Sequence, residues 1–207
     1  MLISHKYKFI YIRCRKVGST SSEIALSEFL EANDVITPIS ARDELIRANK
    51  GFRGPQNYQD LYYNHMSSQE IKEVADPRIW DNYYKFCFER NPWDKVISLY
   101  FHRNKTKHRP PIIDFITSGE AADAINCKLY TIEGRIVVDH IGKYENFFEE
   151  WLEIVKILGL PKSLDLPQAK SQFRKNKIHY SQYLSSYEAS LITSMYEEEL
   201  KYSQYTF

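Results

Sequence analysis

Three places in this chain carry side chains suited to chemistry. The first is Arg15-Lys16-Val17-Gly18-Ser19-Thr20-Ser21, two cations and a glycine followed by three hydroxyls. A helix start exposes unpaired N–H groups and a partial positive charge, so such a run ahead of a helix suits a phosphate. Gly18 lets the backbone approach an anion closely, the hydroxyls donate to its oxygens, and Lys16 adds a mobile point charge. The lysine precedes the glycine, unlike the triphosphate loop G-x-x-x-x-G-K-[ST]. A basic turn with a Ser/Thr helix cap fits the same residues equally well. The second place is Arg90-Asn91-Pro92-Trp93-Asp94-Lys95-Val96-Ile97-Ser98. Here an arginine fork and a hydroxyl two turns along can grip one phosphate, or simply close a strand and face solvent. The third is His65 in Tyr62-Tyr63-Asn64-His65-Met66-Ser67. Its ordinary pKa near 6.5 suits proton transfer, although a surface loop histidine reads the same way.

The elements around these residues decide whether they can meet. Lys8–Arg13 (KFIYIR) is β-branched and aromatic and reads as a strand. The helix after Ser19 has capping-box spacing at Thr20 and Glu23, with Ala25, Leu26, Phe29 and Leu30 as its apolar stripe. Residues 35–59, with Pro38, Gly51, Gly54 and Pro55, read as a long loop with one short helix. Leu61–Tyr63 reads as a short strand, and Ser67 with Glu70 caps a helix to about Val74. Tyr84–Glu89 is the next strand, and Pro92 suits the first position of the following helix. A basic loop runs from Arg103 to Arg109. A strand around Ile136–Val138 and a helix Phe147–Leu158 ended by Gly159 come next, and a last helix spans about Ser186–Tyr202 behind Ser185 and Glu188. Strands alternating with helices predict an α/β fold, a central parallel sheet with helices on both faces. Arg90 and the Lys16 loop then lie at carboxyl ends of strands, where ligands gather in open α/β sheets.

At 207 residues the chain suits one domain, 1–207. A net charge of +1 gives no overall field, so nucleic acid is not an expected partner and anion attraction must be local. Cys14, Cys87 and Cys127 lack metal-ligand spacing, and buried reduced thiols fit a reducing compartment. No apolar run approaches the roughly 20 residues of a membrane span, and a strand begins within ten residues of Met1. A cytoplasmic location is the expectation.

Taken together, Lys16 through Ser21 and Arg90 with Ser98 in R-N-P-W-D-K-V-I-S-L-Y resemble the two nucleotide-binding motifs of PAPS-dependent sulfotransferases. The likeness is strongest to the carbohydrate-directed, Golgi-type and bacterial branch. Trp80–Phe86, Asp139–Phe147 and the closing Tyr183–Phe207 segment are similar as well. The resemblance implies PAPS as donor and PAP as product, with no metal. It places the 5′-phosphosulfate on residues 15–21 and the 3′-phosphate on Arg90 and Ser98. It implies His65 as general base toward the hydroxyl of an acceptor glycan, and Lys16 as the stabiliser of leaving-group charge. It also implies that a late loop, here with Arg174 and Lys175, closes over the nucleotide; a solvated charge run is the equal alternative. His140 is the competing histidine, with a structural hydrogen-bonding role preferred. Arg15 stands where proline is usual, and Glu89 where an apolar residue is common. Acceptor specificity is expected in residues 35–59, where the likeness is weakest.

Two other functions fit parts of this pattern. A small kinase on a related fold requires lysine after the last glycine of the loop and a magnesium carboxylate, and neither is visible. A non-catalytic nucleotide- or anion-binding module keeps Arg90 and Ser98 without requiring His65.

Overall fold

Short aromatic and β-branched runs form a five-stranded sheet in the order β3-β1-β2-β4-β7. The computed structural model describes residues 1–57, 61–106, 108–162, 164–166 and 178–207. The strands are β1 (Leu2–Ser4), β2 (Phe9–Tyr11), β3 (Val35–Ile36), β4 (Tyr84–Glu89) and β7 (His140–Lys143). β2, β4 and β7 pair in parallel, whereas β1 lies antiparallel to both β2 and β3. The sheet is therefore mostly parallel, as expected, with β1 the reversed strand.

Alternation along β4 assigns its two faces. Phe86 and Phe88 turn to one side and pack on Trp151 at ring separations of 5.9 and 5.0 Å. Trp151 belongs to α8 (Phe147–Leu158), which ends at Gly159 with φ 63° as its composition predicts. Glu89 turns to the other side, toward α5 (Pro92–Arg103), α7 (Cys127–Tyr130) and α11 (Glu197–Ser203). Helices thus cover both faces. A second apolar cluster joins α5 to α6 (Ile112–Thr117) and α10 (Ser186–Met195) through Trp93, Ile97, Phe115 and Ile192.

The remaining helices are α1 (Ser19–Leu26), α2 (Ala41–Asn49), α3 (Ser68–Val74), α4 (Pro77–Asn82) and α9 (Tyr180–Tyr183). Capping boxes at Ser67/Glu70 and Ser185/Glu188 form as read from sequence. All three cysteines are buried thiols. No helix among the described residues is long and apolar enough to cross a membrane.

Several expectations are corrected. Leu61–Tyr63 is not a strand, because the Asn57 side chain takes both the N–H and the carbonyl of Tyr62. The predicted strand at 136–138 is only β6 (Arg135–Ile136), paired with β5 (Thr131–Ile132) in a separate hairpin. Its turn has Glu133 and Gly134 at φ 48° and 72°, the positive values a two-residue hairpin turn requires. The strand that joins the sheet is β7, one step later. The last helix is two, because buried Tyr196 leaves helical geometry and donates from its hydroxyl to Ala121 O at 2.7 Å. Residues 35–59 hold α2, as expected, and also the small strand β3.

Candidate active site

A cleft of about 1180 Å³ opens at the carboxyl ends of β2 and β4. Arg15, Lys16, Gly18, Ser19, Thr20, Ser21, His65, Arg90 and Ser98 all line it. Arg174 and Lys175 lie outside the described residues. Every other residue expected at the site shares this one space.

The first wall is the turn between β2 and α1. Val17 is driven fully into the core, which leaves Lys16 and Gly18 to make the bend at φ 63° and 77°. Gly18 is needed twice over. Its positive φ disfavours a side chain, and a Cβ there would meet Phe147 Cζ at 3.0 Å and Tyr144 Cε2 at 3.2 Å. Its missing side chain therefore admits two aromatic rings as well as the loop's tight shape. Ser19 donates to Cys14 O at 2.6 Å and holds the turn closed. The predicted capping box at Thr20 and Glu23 does not form. Gly18 occupies the cap position of α1, and Glu23 turns inward to pair with Arg13. Arg13 also donates to Thr20 Oγ1 at 3.1 Å. No side chain caps α1 among the described residues, so its first amides keep the character of an anion site.

The second wall is the turn between β4 and α5. Arg90 is held on three sides. Its Nε donates to Asp94 Oδ2 at 2.9 Å, and Nη2 contacts the same carboxylate. Nη1 donates to Lys16 O at 3.2 Å, and the guanidinium lies 4.3 Å from the centre of the Tyr144 ring. The arginine therefore touches the first wall directly. Ser98 lines the cleft two turns into α5, as its spacing predicts.

His65 sits between these walls with φ 60°, on a segment pinned by Asn64, whose side chain contacts Pro38 O and Thr37 Oγ1. Its Nδ1 lies 2.8 Å from Arg13 O. A carbonyl only accepts, so Nδ1 carries the proton and Nε2 keeps its lone pair. Burial, then the positive charges of Arg13 and Arg15, press the imidazole pKa down to about 3. The ring is neutral near pH 7. His140 instead pairs with Glu150 at 2.8 Å, the structural role expected for it.

Three features escaped the sequence reading. Arg13 was hidden inside a strand pattern, and only its charge among apolar neighbours marked it. Tyr144, Phe147 and Phe148 supply an aromatic flank to the cleft. Asn126 grips the main chain of Arg15 at both its N–H and its carbonyl. Of the basic loop, Lys105 reaches the cleft, whereas Arg103 pairs with Glu120 and Asp123, and Arg109 donates to Asn104 O.

Two phosphate-suited turns on adjacent parallel strands thus share one cleft with a neutral imidazole. The sulfotransferase family matches residues 1–130, which include both turns and His65. The chain belongs to that family and is an enzyme of sulfuryl transfer. An uncharacterized protein of Archaeoglobus fulgidus is 38% identical over 106 residues, covering 49% of this chain and 88% of that protein. Among solved structures, the fold resembles mouse sulfotransferase SULT7A1, crystallised in complex with PAP. The TM-score is 0.51 at 12% identity, over 98% of this chain and 87% of that one.

Proposed function

We propose that this cleft binds PAPS and that the enzyme sulfates a carbohydrate hydroxyl. The observation that carries the reading is the junction of the two walls, where Arg90 donates to the main chain of Lys16 at 3.2 Å inside one cleft. Two anion sites so joined suit a nucleotide bearing phosphates at both ends. The residues fit such a group: an uncapped helix start, cations at 15, 16 and 90, and an aromatic flank at 144 and 147.

In this reading Lys16 and the first amides of α1 hold the 5′-phosphosulfate, with Arg15 and the hydroxyls of residues 19–21 around it. Arg90 and Ser98 hold the 3′-phosphate. PAPS, when bound, supplies the sulfuryl group and departs as PAP. Lys16 neutralises charge gathering on the leaving phosphate. His65 takes the acceptor hydroxyl's proton at Nε2, since Nδ1 is committed to Arg13 O. Anionic phosphates opposite Arg13 and Arg15 offset the smaller cause of its low pKa, those two charges, while burial, the larger cause, remains. A sugar acceptor is supported by the outer wall, where exposed Phe148 stands beside Glu149, an apolar face next to a hydroxyl acceptor. Residues 1–207 act together as one catalytic domain.

Calorimetric titration tests the donor site: PAP binds without metal, and ATP with magnesium binds more weakly. Binding of magnesium–ATP but not PAP overturns the reading. Labelled PAPS offered with a panel of glycans, phenols and lipid alcohols tests the acceptor. Label on phenols or lipids alone removes the carbohydrate assignment and leaves the donor site intact.

A further inference from the structure

Lys16 and Arg90 stand on turns that follow different strands, yet Arg90 N directly and the main chain of Arg15 through Asn126 are tied to one carboxylate oxygen. Glu89 Oε1 accepts from Arg90 N at 2.8 Å, from Lys95 Nζ at 2.6 Å and from Asn126 Nδ2 at 3.2 Å. Asn126 closes a two-bond clamp on Arg15: Arg15 N donates to Oδ1 at 2.7 Å, and Nδ2 donates to Arg15 O at 3.0 Å. The side-chain amide thereby serves as a strand neighbour for the last residue before Lys16, with both amide hydrogens used. Asn126 is itself held, since its N–H donates to Glu199 Oε2 at 2.5 Å. Lys95 pairs with Glu199 and completes the cluster. Glu89, Lys95, Asn126 and Glu199 are all buried to 1% exposure or less.

Such a cluster is a poor way to gain stability. Two carboxylates and an ammonium in the core pay a desolvation cost that apolar side chains of similar volume avoid. What hydrogen-bonded ions add is direction, because each bond has a length and an angle that apolar contact lacks. Here three of the bonds end on the main chain of the two phosphate turns, at Arg90 N, Arg15 N and Arg15 O. Glu89, an acid where the resembling sequences commonly carry an apolar residue, is the central acceptor.

We propose that the Glu89–Asn126 network is a positioning device that fixes the separation of the two phosphate-binding turns. It selects a nucleotide phosphorylated at both ends over one phosphorylated at a single end. The proposal rests on the nucleotide reading above.

The test is calorimetric titration of PAP and 5′-AMP into the wild-type chain, N126A and E89Q, with circular dichroism as the control for folding. The wild type prefers PAP. In folded N126A that preference shrinks by about tenfold, the worth of one or two lost hydrogen bonds, chiefly through weaker PAP binding. E89Q keeps the accepting oxygen and holds the preference within about threefold of wild type. Equal weakening of both nucleotides in N126A, or none, overturns the proposal. If N126A does not fold, N126D replaces it, keeping the bond from Arg15 N and losing both donations, with the same loss of preference expected. Failure of both variants to fold makes Asn126 a core residue and also overturns the proposal. A wild-type chain that binds neither nucleotide sinks the underlying reading instead, a distinguishable result.

Discussion

Two strand–turn–helix junctions in this molecule look alike in sequence and are finished in opposite ways. At the second, α5 supplies its own cap: Asn91 Oδ1 accepts from Asp94 N at 2.8 Å, and Glu145 accepts from Asn91 N and Nδ2, each at 2.9 Å. With that first-turn amide satisfied inside the chain, the proposed anion site there rests on side chains, Arg90 and Ser98. At the first, a glycine occupies the cap position and α1 has no side-chain cap among the described residues. In the proposed reading, backbone amides hold the anion there and Lys16 adds charge. A side-chain site tolerates small shifts of its backbone, whereas a backbone site does not. Both turns are braced, the first by Ser19, Asn126 and the rings against Gly18, the second by Asn91, Asp94 and Glu145.

The contrast can be broken most sharply at His65, which hangs from the first junction. H65A is expected to lower kcat by about 10²–10⁴-fold while PAP affinity stays within about threefold. Steady-state kinetics with titration checks this, and a comparable loss of PAP affinity would move His65 from proton transfer to binding. Next is Arg90. R90A should weaken PAP by about 10–100-fold, the loss of a charge-assisted fork, and R90K should recover little because a lysine has no fork. Retention of full PAP affinity in R90A would dissolve the two-junction picture.

Acidity gives a third, smaller effect. His65 titrates near 6.5 unfolded and near 3 folded, so between those values the unfolded chain binds the extra proton. Stability is therefore fully present above about pH 6.5 and falls as the pH drops toward 3. From pH 7 to 5 this one group should cost about 2 kcal/mol. H65Q should show a correspondingly shallower loss in denaturant melts, and identical pH profiles would show that the imidazole is not buried as described. The smallest contrast compares the caps. N91A should cost about 1 kcal/mol through the lost cap and change PAP affinity by less than about threefold. G18A should cost more, about 1–2 kcal/mol for the left-handed backbone and a further amount for displacing the Phe147 and Tyr144 rings, and should also weaken PAP. Thermal melts paired with titrations separate the two.

Local pattern carried much of the fold. β4, α3, α5 and α8 lie where apolar spacing, Pro92, Gly159 and the cap residues put them. These signals are local, since a cap or a first-turn proline acts within a few residues of itself. The errors came where distant partners decide. Leu61–Tyr63 has strand composition, but Asn57 occupies its backbone. β7 has an unpromising sequence, His-Ile-Gly-Lys, and is a strand because Gly142 lets the Phe88 ring lie against it, with a Cβ there meeting Phe88 Cε1 at 2.8 Å. Glu23 has the spacing of a capping box, yet Arg13 lies close enough to claim it.

The order of residues alone determined which side chains could handle a phosphate, and that each followed a strand and opened a helix, because both facts depend on neighbours in the chain. It did not determine that the two turns touch, that His65 presents Nε2, or that Glu89 and Asn126 bind the turns together. Those follow from parallel pairing of β2 and β4 and from bonds between residues far apart in sequence, such as Arg15 to Asn126 and Lys95 to Glu199. Hydrogen bonds and buried charges are satisfied by whatever the fold brings within about 3 Å, and only the folded chain decides what that is.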